Sequence, residues 1–216
     1  MARKTQISKE VILETALKML IRDGYSAVNI KTLSKEIGCS TQPLVWHFDN
    51  MEGLRKALAE YAVSFANKKL KPLSENAVSG FSEIGNAYVD IAFDMPNLFK
   101  YLFLNEGSNY CMGTFEMILS AINNQNLIAK SASFYSIPID KTLDYLTNTI
   151  VYSHGLLVAI VSGTIKVDRQ TAKEKVHNAY CAFLLQAGGD IKKAQRENNF
   201  LKNEGSNNED TTLQLL

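Results

Sequence analysis

The sequence predicts an all-α fold in two parts, a small N-terminal three-helix domain holding a helix-turn-helix and a larger helical C-terminal domain. Three observations predict it. Apolar residues recur at helical spacing along most of the chain, with no strand-like alternation of useful length. Only four prolines interrupt 216 residues. Residues 29–48, NIKTLSKEIGCSTQPLVWHF, read as a short amphipathic helix, a turn around Gly38, and a second short helix that starts polar and ends aromatic.

Each element has its own local signals. Ser8 is placed to cap a first helix, with Glu10 in the first turn where the helix dipole favours an acid. Ile12, Ala16, Met19 and Leu20 give that helix one apolar face, and Gly24 ends it. Asn29 caps the second helix, in which Ile30, Leu33 and Ile37 face inward while Lys31 and Lys35 face out. After Gly38, Ser40 is expected to cap a third helix over residues 41–47. Pro43 then falls third in that helix, where its missing N–H removes no hydrogen bond. Leu44, Val45 and Phe48 are read as its buried face and Trp46 as surface.

Asp49 and Glu52 have capping-box spacing and open a long helix with the stripe Leu54, Leu58, Tyr61/Ala62 and Phe65, ending near Pro72. Phe81, Ile84, Tyr88 and Ile91 mark another helix, and Pro96 starts a short aromatic one. A helix is expected over residues 113–129, then a long apolar one opened by Pro138 and Asp140 and reaching residue 165. Thr171 caps a last helix that stops at Gly188 and Gly189. The expected organisation is residues 1–50 as the helix-turn-helix domain, 51–189 as the helical regulatory and dimerisation domain with 51–71 as connector, and 190–216 as a polar, flexible tail.

Composition excludes several function classes. The longest apolar runs are too short to span a membrane, and the basic N-terminus has no apolar segment after it, so the chain is expected in the cytoplasm. Cys39, Cys111 and Cys181 are odd in number and widely spaced, which predicts reduced thiols without a zinc site. Catalysis, a metal and a cofactor are not expected: the chain shows no carboxylate cluster, phosphate-cradling glycine loop or triad pattern. The net charge of +1 is uneven. Residues 1–58 hold nine Lys/Arg against six acids, a local +3, whereas from Glu197 onward one Lys faces four acids, a local −3. A basic helix-turn-helix end suits phosphate contact.

A helix that reads DNA needs short polar side chains at its start, because that end enters the groove. Thr41 and Gln42 meet the need: Gln pairs in bidentate fashion with adenine, and Thr donates to phosphate or touches a thymine methyl. Ser40 and the helix N-terminus offer donors to a phosphate, Lys31 adds charge, and Pro43 stiffens the first turn. Trp46 and His47 present amphipathic rings suited to the sugar–phosphate backbone; for His47, phosphate contact and simple packing at the helix end both remain open.

The ordered combination Asp23-Gly24-Tyr25, Val28-Asn29-Ile30, Leu33-Ser34-Lys35-Glu36-Ile37-Gly38-Cys39-Ser40 and Leu44-Val45-Trp46-His47-Phe48 resembles the N-terminal domain of TetR-family transcriptional regulators over residues 8–60. Two positions depart from the common pattern, Val45 where a tyrosine is usual and Met51 where a lysine is usual, both of which act on the DNA backbone. The C-terminal half resembles the WHG-type ligand domain of one branch, through Pro96-Asn97-Leu98-Phe99 with Phe103 and through Tyr152-Ser153-His154-Gly155-Leu156-Leu157 with Gly163. The resemblance implies a ligand-sensing domain that also dimerises through its last two helices.

On that basis Phe93, Phe99, Phe103, Tyr110, Phe115, Tyr152 and His154 are candidate pocket residues, with ordinary core packing as the alternative. Leu157, Ile160, Val161, Ala179, Phe183 and Leu184 are candidate dimer contacts. The expected function is a ligand-responsive, homodimeric DNA-binding regulator, a repressor released from a palindromic double-stranded operator by a small-molecule effector. The alternative is a helical interaction protein that keeps the fold but answers to a protein partner.

Overall fold

The computed structural model describes residues 7–70, 77–104 and 125–194. Its elements are α1 (Lys9–Asp23), a 3-10 turn (Tyr25–Ala27), α2 (Ile30–Ile37), α3 (Gln42–Phe48), α4 (Met51–Leu70), α5 (Ala77–Asp94), α6 (Pro96–Phe103), α7 (Gln125–Tyr135), α8 (Ile139–Val161) and α9 (Arg169–Gln186). The fold is all-α, with no strand among the described residues. None of its described helices is long and apolar enough to cross a membrane. The chain divides into two compact units, residues 1–70 with 90–117 and residues 71–89 with 118–216.

In the first unit the apolar stripes of α1 to α4 close on one core that includes Ile12, Ala16, Leu20, Leu33, Leu44, Leu54, Leu58 and Ala62. The core also takes in Leu98, Tyr101 and Leu102 of α6, which packs against α1 and α4. Asn97, in the first turn of α6, donates from Nδ2 to the carbonyls of Ile21 (3.1 Å) and Arg22 (3.3 Å). These belong to the last turn of α1, whose carbonyls have no intrahelical partner. Arg22 in turn bridges Asp23 (2.7 Å) and Glu36 (2.9 Å), tying the end of α1 to α2. Both carboxylates hold its guanidinium above its ordinary pKa.

Several caps stand where the sequence places them. Ser8 accepts from the Val11 N–H at 3.3 Å. Asn29 accepts from the N–H groups of Lys31 and Thr32, both at 3.0 Å. Thr32 completes the box by accepting from the Asn29 N–H at 3.1 Å. Three caps stand elsewhere. Thr41, not Ser40, is the N-cap of α3, so Pro43 falls in the first turn one position earlier than expected. Asn50, not Asp49, caps α4, its Oδ1 accepting from Glu52 (2.9 Å) and Gly53 (3.0 Å). Asp168, not Thr171, caps α9; it accepts from the Thr171 N–H at 2.7 Å and its hydroxyl at 3.0 Å. In each case a residue within one turn also fits the pattern, and backbone geometry decides between them.

The second unit is built on the α8–α9 pair, with α7 packed on α8. Its core clusters Tyr135, Tyr145, Leu146, Tyr180, Leu184 and Ala194. The buried phenols are satisfied locally: Tyr180 donates to Tyr135 (3.1 Å), and Tyr145 shares a hydrogen bond with Ser131 (2.6 Å). Burial pushes the Tyr180 hydroxyl well above its ordinary pKa. Ala194 lies in the stretch expected to begin the polar tail, yet it is buried, and Lys193 donates to the Phe134 carbonyl while lying 5.1 Å above that residue's ring. Residues 195–216 lie outside the described residues. Helix α7 extends past the expected end at residue 129 to Tyr135, where Ser136 (φ 57°) turns the chain and the Ile137 N–H reaches back to the Ala132 carbonyl at 3.0 Å. Helix α8 stops at Val161 rather than residue 165, with Gly163 (φ 77°) in the turn that follows.

Candidate nucleic-acid interface

Helices α2 and α3 form the candidate interface. Gly38 (φ 76°) sits just past α2 in the left-handed region, and the Cys39 N–H bonds the Ser34 carbonyl at 2.9 Å. A side chain at Gly38 would meet no neighbour, so backbone conformation alone calls for glycine there. Helix α3 is then held by Leu44 and Phe48, one turn apart and buried against Leu33 and the rest of the core. Its exit is tight. Asp49 adopts φ 64° and ψ −56°, and the Asn50 N–H bonds the Phe48 carbonyl at 2.7 Å, which is a γ-turn with a strained central residue. A Cβ at Gly53 would lie 2.1 Å from the Phe48 carbonyl oxygen, so only glycine allows α4 to start this close to the end of α3.

With Leu44 and Phe48 turned inward, the outward face of α3 consists of Thr41, Gln42, Val45 and Trp46, all exposed. Lys31, Lys35 and Ser40 are exposed nearby in sequence, and Pro43 is half-buried. Trp46 is 67% exposed, as read from the sequence. Val45 is a correction: it is 44% exposed and not part of the buried face. Leu44 and Phe48, four apart, already cover the inward side, and Val45 follows Leu44 by a rotation of about 100° towards Gln42 and Trp46.

His47 is half-buried, and its Nε2 bonds the Ile7 carbonyl at 2.9 Å, pinning the entry to α1 against the end of α3. Packing at the helix end thus accounts for one ring nitrogen. Met51 packs against the core rather than projecting as a lysine would.

The remaining candidates divide between the units. Phe99 is fully buried and tilts against Phe103 with centroids 4.9 Å apart. Phe103 packs on the core of the first unit, and Phe93 is half-buried. In the second unit His154 is half-buried and its Nδ1 lies 2.7 Å from the Tyr88 hydroxyl, the rings nearly parallel. Burial lowers the His154 pKa and raises that of Tyr88. Tyr152 is 40% exposed and points away from its own unit's core. Tyr110 and Phe115 lie outside the described residues.

Among the candidate dimer contacts, Leu157 and Leu184 are fully buried. Ile160, Val161, Ala179 and Phe183 are half-buried. The outward positions of the hairpin are instead Val151, Tyr152, Gly155, Ala182 and Leu185. Periodicity identified the helices but not which of their apolar residues are exposed.

Residues 12–58 match the family described as bacterial regulatory proteins, tetR family. Over these residues the chain is similar to TetR-family regulators. An uncharacterised HTH-type transcriptional regulator of Mycobacterium tuberculosis is 37% identical over 57 residues, 26% of this chain and 26% of that protein. The chain spans about a quarter of the length of the first curated relatives it matches, 26% and 24%. Likeness to solved structures runs further. A protein of unknown function from Rhodococcus aligns with a TM-score of 0.60 at 17% identity, over 87% of this chain and 99% of that one. A TetR variant of Acinetobacter baumannii in complex with minocycline aligns at 0.52 and 14% identity, over 84% and 98%. The TetR-type fold, with an N-terminal helix-turn-helix domain and a helical C-terminal domain, therefore extends over most of the chain.

Proposed function

We propose that the chain is a homodimeric transcriptional repressor that binds a palindromic double-stranded operator through α3 and leaves it when a small organic effector enters the helical C-terminal domain. The observation that carries the DNA-binding half is the outward face of α3. Thr41 and Gln42 stand exposed at the N-terminal end of a helix locked from behind by Leu44 and Phe48. Lys31, Lys35, Ser40 and the first turn of α3 are available to phosphates, which position the protein, and Gln42 reads a base edge. Pro43 rigidifies that turn, and Trp46 lies against the backbone at the far end.

Dimerisation is the reading we give to the apolar outer face of the α8–α9 hairpin. Val151 and Leu185 are 56% and 57% exposed, and Gly155 and Ala182 are small enough for close helix approach. Half-sites about 34 Å apart then face two recognition helices at fixed separation. Effector control is supported by the fold shared with the minocycline-bound Acinetobacter protein and by the polar pair of buried Tyr88 and half-buried His154 in the second unit. An effector shifts the balance between arrangements only if it binds one of them better. Helices α4 and α6 both contribute to the core that holds α3, so movement of either would reach the recognition helix.

A mobility-shift assay with the full chain and the DNA flanking its own gene tests the reading. A retarded band that survives excess scrambled duplex supports it. Retardation removed equally by specific and scrambled competitor, or none at low salt, overturns it.

A further inference from the structure

We infer that Val45 reads a thymine by its methyl group, as a specificity-determining residue beside Gln42; the inference rests on the DNA-binding reading above. Val45 shares the outward face of α3 with Thr41, Gln42 and Trp46, and it is 44% exposed while the inward positions Leu44 and Phe48 are buried. Its side chain carries no donor or acceptor, so it cannot take part in hydrogen-bonded readout or bind a phosphate. The apolar feature on the base edges of the major groove is the C5-methyl of thymine, and contact with an aliphatic side chain there is a recognised mode of readout. The residues around Val45 place it in the groove rather than at its rim. Gln42 is one turn before it on the same face, nearer the N-terminal end of the helix, and Trp46 beside it is a large exposed ring.

The spacing makes the inference specific. Val45 follows Gln42 by three residues, a rise of about 4.5 Å along the helix, little more than one base-pair step of ~3.4 Å. The thymine therefore belongs one or two base pairs from the base that Gln42 reads. A tyrosine at this position would reach a phosphate instead, so the exchange for valine trades backbone affinity for base selectivity.

The test starts by selecting duplexes from a random-sequence pool with the full chain. Each thymine of the recovered consensus is then replaced by deoxyuridine, which removes the C5-methyl and leaves pairing intact. Affinities are measured for wild type and Val45→Ala, with thermal melting to show that the variant is folded. One thymine per half-site, one or two base pairs from the position where Gln42→Ala relaxes preference, should lose about fourfold in wild-type affinity on losing its methyl. The same replacement should have no effect on Val45→Ala. If no thymine is sensitive, or if the sensitive one is equally so in Val45→Ala, Val45 does not read it. Failure of the chain to enrich any duplex would overturn the DNA-binding reading itself, a result distinct from a bound but methyl-indifferent operator.

Discussion

At the scale of single residues the interface depends on which side chains the core leaves outside. The exposure of Thr41 and Gln42 was legible in the sequence, because polar residues at the start of a short helix face solvent. Val45 was not legible, since a valine between Leu44 and a tryptophan fits either face until the helix phase is known. Substituting Gln42 by Ala should cost about 1–3 kcal/mol of discrimination at one base position. Binding to a panel of single-position operator variants reads this directly, and an unchanged preference would show that Gln42 reads no base.

Asp49 is strained at φ 64° without being a glycine. Asp49→Gly should therefore stabilise the folded chain by about 1 kcal/mol, read as a higher denaturant midpoint with unchanged slope. His154 sets an acid limit. The Tyr88 hydroxyl can donate to Nδ1 only while the ring is neutral, and burial lowers the folded-state pKa below the ordinary 6.5. Below pH 6.5 the unfolded chain binds more protons at this site than the folded one, so the stability of the second unit falls as pH drops from 7 towards 5. His154→Gln should flatten that slope; a slope unchanged by the substitution would place its origin elsewhere.

At the scale of elements, helix existence followed from periodicity while helix starts did not. At the starts of α3, α4 and α9, two residues within one turn of each other each fit a cap, and the structure chose Thr41, Asn50 and Asp168. The junction of α3 and α4 was invisible for a related reason. Nothing in the local pattern announces that Gly53 lies against the Phe48 carbonyl, since that approach comes from the packing of two helices. Gly53→Ala places a Cβ 2.1 Å from a backbone oxygen that cannot rotate away. It should force α4 away from α3, lowering the melting temperature of the first unit and weakening DNA binding together. A variant that melts and binds like wild type would show that the junction tolerates the shift.

At the scale of the molecule the sequence predicts a reader followed by a regulatory part, whereas the structure places α6 in the core of the first unit. Leu98, Tyr101 and Leu102 of α6 arrive from far beyond the end of α3 at Phe48, with α4 and α5 in between. A long-range packing partner of this kind leaves no local mark, although the capping of α1 by Asn97 repeats it in polar form. The same limit applies to the proposed dimer face, since Leu157 and Leu184 are buried while Val151, Tyr152 and Leu185 are exposed. Leu185→Glu should shift a dimer to monomer in sedimentation and reduce operator affinity by more than tenfold, because one reader loses the second half-site.

The most direct measurement of the central claim is a hydroxyl-radical footprint of the full chain on the DNA flanking its own gene. Two protected patches related by two-fold symmetry, on one face of the duplex and one helical turn apart, are the predicted result. A single patch, or uniform protection that follows the protein onto scrambled DNA, would contradict it.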